Sequence, residues 1–567
     1  MTAPTGTPTA TSPKRSRREP GILGGVMRLA TPFVILLLVL SAPLEAADKE
    51  WPQAQKAFKD KFKLDGLEKP GVRSQLRAKK YDAIKIVRKC PDARGVDLLI
   101  KYHKKQLGFI GDLDGQWAKR YEAWKKAEPT MRKVLEAKSK KSTNGQISVT
   151  PAEKAWIDEP AKLATLRREI SNEEEIADSM RMAMAKIANN VEGKERASAV
   201  ASIAKAIKKG AKEDEREFIR LLGYIDGDEA TQILETHAKN ISPFVSQPAL
   251  EALGRQQNPR SIDTLLGRLD DPRWQLRVAA LKGLSFYRDP RVVDALLERL
   301  PNEDGVLKRH YYTALARILG ESLAATDEAW ISFWKSNKDD LLKRWASKER
   351  SGPVREDLPP VEIKSEGNSG GTSFYGLRTE SKHIIFVIDI SGSMGEQGGK
   401  NEQGHFRVDV AKRELSNAIK TLRAEDGDER GEASFNVVAY SADVVVYKTG
   451  KMMPATMKEK EKAFKWIDEL EANGATNISD ALEQAFDIIN TRKAKKQFEK
   501  GADTIFLMTV GLPSAGKVMD PVLIREMVKK MNRERQITIH TIGVGDGHDA
   551  SFLKALATEN NGEYLAR

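Results

Sequence analysis

The chain has 567 residues, enough for about two to four domains with substantial cores, and its 94 Lys and Arg against 81 Asp and Glu leave a formal charge of +13. A hydrophobic content of 40% excludes disorder over most of its length. The single cysteine, Cys90, excludes any internal disulfide, and with Pro91 after it and no partner in view it is not expected to act as a nucleophile.

Residues 1–47 read as a leader. Met1 to Pro20 is rich in Thr, Pro and Ser and carries the basic cluster Lys14-Arg15-Ser16-Arg17-Arg18, a composition that predicts disorder. Gly21 to Leu40 is apolar apart from Arg28 and Thr31, and small residues follow up to Ala46 and Ala47. The order basic, apolar, small is that of an export signal cut near Ala46 or Ala47. Left uncut, Gly21 to Ala42 would reach across a bilayer with Arg28 snorkelling to the interface. Either outcome leaves the remainder outside the cytoplasm, as a periplasmic or cell-surface protein.

Residues 48–150 are helical in pattern and basic: Trp51 to Thr150 holds 25 Lys and Arg against 11 Asp and Glu. That excess of 14 accounts for the charge of the whole chain. The apolar runs at Tyr81–Val87 and Val96–Ile100, separated by Pro91 and Gly95, predict a pair of short helices, and Trp117–Ala137 predicts a longer amphipathic one. Outside the cytoplasm such charge is not for nucleic acid. It is suited to an anionic membrane or envelope surface, or it forms a solvated helix face.

After a break at Asn144-Gly145, residues 151–346 are helical again and repetitive. Ala249, Leu250, Leu253, Pro259, Arg260, Ile262, Asp263, Leu265, Leu266, Arg268 and Leu269 return 31 positions later as Ala280, Leu281, Leu284, Pro290, Arg291, Val293, Asp294, Leu296, Leu297, Arg299 and Leu300. A weaker third copy starts at Ala314, Leu315 and Ile318. A fixed period with a Pro-marked turn between amphipathic helices is a repeat signature. It resembles HEAT-type repeats in their short bacterial form, which implies an α-helical solenoid built by stacking. Trp274, Trp330, Trp334 and Trp345 are expected in core and capping roles.

Residues 347–373, with Pro359-Pro360 and Gly367-Asn368-Ser369-Gly370-Gly371, predict an extended linker. Strands and helices then alternate through residues 374–567, which predicts a doubly wound α/β domain. Its centre is His383 to Gly395. The apolar run Ile384–Ile388 reads as a buried parallel strand, and the turn after it carries Asp389, Ser391 and Ser393. One carboxylate and two hydroxyls in one loop at the carboxyl edge of a sheet suit a hard divalent cation, Mg²⁺ or Mn²⁺.

This Asp-x-Ser-x-Ser loop resembles that of the von Willebrand factor A domains, and the resemblance extends over residues 374–567. Asn473-Gly474-Ala475-Thr476-Asn477-Ile478-Ser479-Asp480 is similar to the second metal loop of that family. The resemblance makes Thr476 a further ligand and places Asp480 just behind the ligands. Where the family has Thr-Asp-Gly, this chain has Thr509-Val510-Gly511, so a metal position is lost at Val510 and weaker binding is implied. The resemblance further implies a protein-binding or adhesion function, in which the ion takes an Asp or Glu carboxylate of a protein partner. That partner would dock at the rim formed by Gly395, Glu396 and Gln397. The alternative is a metal-independent scaffold in which the helical repeats hold the partner. No enzyme is expected. Gly511 to Lys517 fits the start of a phosphate-binding loop but continues with Val518 instead of Ser or Thr, and the seven histidines form no zinc-hydrolase pair.

Overall fold

The computed structural model describes residues 50–63, 70–141, 147–209, 212–303, 305–324, 326–346, 372–396, 405–422, 433–490 and 501–567. The leader at 1–47, with its alternatives of export signal or anchor, and nearly all of the linker lie outside the described residues. Among the described residues no helix is long and apolar enough to cross a membrane.

A short helix at 50–61 (α1) and α2 (Pro70–Lys89) precede α3 (Arg94–Lys141). The sequence pattern predicts two helical pieces in this last stretch; the chain makes one. Gly108, Gly111 and Gly115 lie inside it, and a Cβ at any of them would meet nothing within 4 Å. They weaken the helix by about 1 kcal/mol each relative to Ala without leaving a packing defect, and burial of the opposite face outweighs them. Helix α4 (Pro151–Asn190) starts from a capping box of Thr150 and Glu153. It returns along α3 as an antiparallel hairpin: Gln106 bonds Glu173, Arg167 bonds Asp114, and Trp117 Nε1 donates to the Leu163 carbonyl. Inside the bundle Lys80 Nζ lies 2.6 Å from a Glu173 carboxylate oxygen, both fully or almost fully buried. Burial lowers the Lys80 pKa against the pull of Glu173.

Helices α5 (Gly193–Lys209), α6 (Lys212–Leu222) and α7 (Asp228–Ala238) lead into the repeats. These are α8 (Pro243–Gln256) with α9 (Ile262–Leu266), α10 (Trp274–Leu284) with α11 (Pro290–Arg299), and α12 (Gly305–Leu319) with α13 (Asp327–Ala346). The positions matched at 31 residues do matching work. Leu250 and Leu281, Leu253 and Leu284, and Leu265 and Leu296 are buried. Asn258 and Asp289 each cap the N–H two residues on. One continuous core runs from Trp51 to Leu341, with Trp330 and Trp334 inside it and Trp274 and Trp345 packed on it. Helices α8 and α10 cross at glycine, since a Cβ on Gly254 would lie 2.4 Å from the Gly283 Cα.

The carboxyl-terminal domain opens with the hairpin β1 (Thr372–Phe374) and β2 (Leu377–Thr379). Its main sheet contains β3 (His383–Asp389), β4 (Ser434–Tyr440), β5 (Val444–Val446), β6 (Met453–Pro454), β7 (Thr504–Thr509), β8 (Thr538–Gly543) and β9 (Tyr564–Ala566). The order is β5-β4-β3-β7-β8-β9, with β6 also on β4. Strands β4, β3, β7, β8 and β9 are mutually parallel. Alternate residues of β3 serve opposite layers. Phe386 and Ile388 join the layer of α14 (Arg407–Thr421) and α15 (Met457–Asp468). Ile385 and Val387 join that of α16 (Ile478–Asn490), α17 (Pro521–Asn532) and α18 (Ala550–Glu559). This is the doubly wound architecture that the alternating pattern implies.

The helical region docks on this domain through charged contacts. Arg220 reaches Glu534 and Arg533 reaches Glu217, each at 2.7 Å, Arg168 pairs with Asp520, Ser171 donates to Glu526, and Arg309 pairs with Glu563 at 2.7 Å. Burial pushes the Glu217 carboxyl up, but the charges of Arg533, Arg220 and Arg181 outweigh it and hold the pKa below its ordinary 4.5. A carboxyl depressed by folding contributes stability that is present above its ordinary pKa and lost as pH falls through the folded value. Urea denaturation at pH 7 is therefore expected to find Glu217→Gln less stable by about 1–3 kcal/mol. The difference should shrink as pH is taken well below 4.5.

Candidate metal centre at the sheet edge

Strand β3 lies between β4 on one side and β7 on the other, so the direction of winding reverses at its carboxyl end. Loops diverge there and leave a crevice, and Asp389 is the residue at that point. Its carboxylate is fully buried. One oxygen accepts the Ser391 N–H at 2.8 Å, and the other accepts the Thr509 hydroxyl at 2.8 Å and the Val510 N–H at 3.2 Å. Burial raises its pKa, and these neutral donors offset the rise only in part. Among the described residues no cation pairs with it.

The hydroxyls come to the carboxylate by two routes. Ser391 and Ser393 follow it in a single 3₁₀ turn and stand with their oxygens 3.1 Å apart. Thr476 arrives from the loop before α16. Gly392 N–H donates to the Gly474 carbonyl at 2.9 Å, and Asn473 N–H to the Ile390 carbonyl at 2.9 Å. Gly474 adopts φ +72°, a left-handed conformation that costs glycine least. Thr476 is itself buried, with its hydroxyl 3.5 Å from where a Cβ on Gly511 would stand. Asp389, Ser391, Ser393 and Thr476 are thus gathered at one end of β3.

The remaining predicted positions fall around them. Val510 directs its N–H to Asp389 while its side chain joins the apolar layer with Ile390, Met394 and Val544, so the third loop contributes no oxygen from that residue. Asp480 accepts from Asn477, Ser479, the Lys517 N–H and Tyr121, and so braces the Thr476 loop against its neighbours. Gly395 and Glu396 are exposed, and Glu396 is tied to Arg407 at 2.7 Å. Gln397 lies outside the described residues. The segment after β7 makes no phosphate cradle, because the N–H groups of Ser514 and Ala515 are engaged by the Thr476 carbonyl and that of Lys517 by Asp480.

The contribution of α3 escapes a reading of the sequence. Tyr121 donates to Asp480 at 3.1 Å and Lys125 lies 3.2 Å from Asp443, so the helical hairpin is latched to the first turn of α16, just after Thr476, and to the turn between β4 and β5. Burial, then the Asp480 charge, pushes the Tyr121 pKa up. Trp117, Tyr121 and Trp124 do follow helical spacing, but such a stripe reads equally well as core.

A donor set of one carboxylate and three hydroxyls has the chemistry of a hard-cation site. A buried carboxylate faced only by neutral dipoles is a group that a cation would complete. Among the described residues no three His, Cys, Asp or Glu gather into a metal-holding group, here or elsewhere.

The sheet, its switch point and this loop define a von Willebrand factor type A domain. Residues 383–566 match the family model of that domain, and residues 242–316 match that of HEAT repeats. The chain therefore carries a von Willebrand factor type A domain behind a HEAT-repeat region. Its relatives include inter-alpha-trypsin inhibitor heavy chain H3 of Bos taurus, 30% identical over 195 residues that make up 34% of this chain and 19% of the relative. Heavy chain H6 of Homo sapiens is 29% identical over 237 residues, 39% of this chain and 16% of the relative. The match thus spans under a fifth of the length of either. A solved von Willebrand factor type A structure from Catenulispora acidiphila is 24% identical over 34% of this chain and 39% of that one, with a TM-score of 0.27.

Removing the latch should loosen the hairpin without unfolding the sheet. Tyr121→Phe is expected to cost about 0.5–1.5 kcal/mol and to speed hydrogen exchange in the segment around Tyr121 and Trp124, while exchange along β3 and β7 stays unchanged.

Proposed function

We propose that this is an extracytoplasmic protein-binding or adhesion protein, not an enzyme, whose A domain takes an Asp or Glu carboxylate of a protein partner at a divalent ion. The observation that carries the reading is the buried Asp389 carboxylate, faced only by neutral donors and gathered with the hydroxyls of Ser391, Ser393 and Thr476. These four residues would hold Mg²⁺ or Mn²⁺. The ion would supply positive charge for the partner's carboxylate. The chain itself orients the ligands through the Ser391 and Val510 N–H groups and the Gly392–Gly474 bond. Gly395, Glu396 and Gln397 would form the rim where the partner docks. The extracytoplasmic setting is inferred from the leader pattern of residues 1–47. Exposed lysines along α3, among them Lys101, Lys104, Lys119, Lys126 and Lys133, would add attraction to an anionic envelope or membrane surface.

The loss of a carboxylate at Val510 favours a second reading, a metal-independent scaffold. In that reading the helical repeats hold the partner. Against it, part of the helical surface is already occupied by the chain's own A domain through Arg168, Glu217, Arg220 and Arg309.

Calorimetry of Mg²⁺ and Mn²⁺ on the full chain separates the two. Saturable binding that disappears in Asp389→Ala is expected. No heat with either ion at about 10 mM, a concentration at which even the weakest extracellular-type sites fill, would leave the scaffold. Val510→Asp supplies the missing charge and is expected to tighten ion binding by about tenfold or more. The same change should lower stability in the absence of ions, because it places a carboxylate among Ile390, Met394 and Val544.

A further inference from the structure

The latched hairpin leaves a hollow where it meets the A domain. Helices α3 and α4 and the loops before α16 and after β7 enclose a cleft of about 260 Å³. Its helical wall includes Tyr121, Trp124, Trp156 and Leu163, and Ala475, Ser514 and Met519 face them from the A domain. The rings of Trp124 and Trp156 stack 5.5 Å apart at 14° and are half-buried. Each indole N–H donates to the other residue's carbonyl at 3.1 Å, and the Tyr121 hydroxyl is taken by Asp480. The polar tips are thus engaged within the fold, and what these side chains offer the cleft is apolar surface.

The charges at its rim are balanced as well. Lys125 pairs with Glu128 at 2.8 Å and with Asp443 at 3.2 Å, Arg132 with Glu128 at 2.7 Å, and Lys517 with Glu483. A charged ligand would have to displace a pair already made, whereas an uncharged ring would displace only water. An apolar cavity of about 150 Å³ already admits benzene, so this cleft has room for one aromatic side chain. It is also continuous with the candidate ion loops. Ala475 immediately precedes Thr476, and the Ser514 hydroxyl oxygen accepts the Thr476 N–H at 3.0 Å. Leu512, 57% exposed on the loop between Gly511 and Ser514, extends the apolar surface along the same rim.

We propose that this cleft takes an aromatic side chain of the protein partner whose carboxylate is held at the ion, so that hairpin and A domain form one composite docking surface. The partner segment would carry a Trp, Tyr or Phe within a few residues of its Asp or Glu. The acidic residue rests on the ion-dependent reading given above; the aromatic contact needs no ion. Burial of the ring and its offset or edge-on contact with the indoles supply the attraction.

The test is calorimetry on the full chain with acetyl-Gly-Trp-amide, acetyl-Gly-Ala-amide and a series acetyl-Asp-(Gly)n-Trp-amide, each with and without Mg²⁺. The tryptophan peptide is expected to saturate without Mg²⁺, and the alanine peptide is not. Ala164→Phe, which fills the cleft from α4, and Trp156→Leu, which removes a ring, should each weaken that binding about tenfold or more. Ile241→Ser, at a position 88% exposed and outside the cleft, should leave it unchanged. No saturable heat from the tryptophan peptide at about 20 mM, or equal affinity in both cleft variants, would overturn the site. With Mg²⁺, one spacing of the aspartyl series should bind about tenfold tighter than acetyl-Gly-Trp-amide. If Mg²⁺ binds and no spacing gains affinity, the composite surface is overturned. If Mg²⁺ does not bind at all, the ion reading fails by itself, and ion-free tryptophan binding still decides the cleft. Should the cleft variants fail to fold, hydrogen exchange of the wild type decides. Acetyl-Gly-Trp-amide should slow exchange around Trp124 and Trp156, and unchanged exchange there overturns the site equally.

Discussion

Burying a carboxylate beside no cation is expensive, and the carboxyl-terminal domain is arranged around one such group. Strand β3 is covered on both faces and paired on both edges, so the last residue of the strand cannot reach solvent without breaking the sheet. Asp389 sits there by necessity of topology. Its oxygens are satisfied by backbone and hydroxyl donors from two separate segments, the turn after β3 and the end of β7, and those bonds in turn hold the loops in position. The same group that makes the centre electrostatically incomplete also ties it together mechanically.

The third loop shows how the balance differs from a site with two carboxylates. Val510 keeps the backbone bond to Asp389 and gives its side chain to the apolar layer, so what is lost in ligand charge is gained in packing. The rest of that loop closes on the Thr476 carbonyl and on Asp480. The loops are therefore preorganised by their own hydrogen bonds, and an ion would enter a framework already assembled.

The helical region reaches both edges of this sheet from outside. Its hairpin touches Asp480 and Asp443 at the edge of the metal loops, while at the other edge its middle helices pair with the turn between α17 and β8 and Arg309 of the repeats pairs with Glu563 just before β9. These contacts are mostly charged and partly exposed, so individually they are weak. Their number and spread make the docking specific. A partner binding at the metal loops would meet a surface to which the hairpin is already joined.

Much of this was legible in the residues themselves. The apolar run ending in Asp389 determined a buried strand and the loop after it, because only a doubly covered strand tolerates Ile384 to Ile388 without alternation. The 31-residue period determined a stacked helical array, since each pair of helices can bury its apolar face only on the next. The candidate metal loops could be picked out because the residues of each lie within a few positions in sequence. Other features depend on pairs that sequence spacing does not connect. The unbroken course of α3 through three glycines was decided by packing against α4, which outweighs local propensity. The Tyr121–Asp480 bond spans 359 positions, and the Arg220–Glu534 bond between the helical region and the A domain spans 314. Periodicity reports which face of an element is apolar; which surface covers that face is settled only when the chain folds and distant charges find one another.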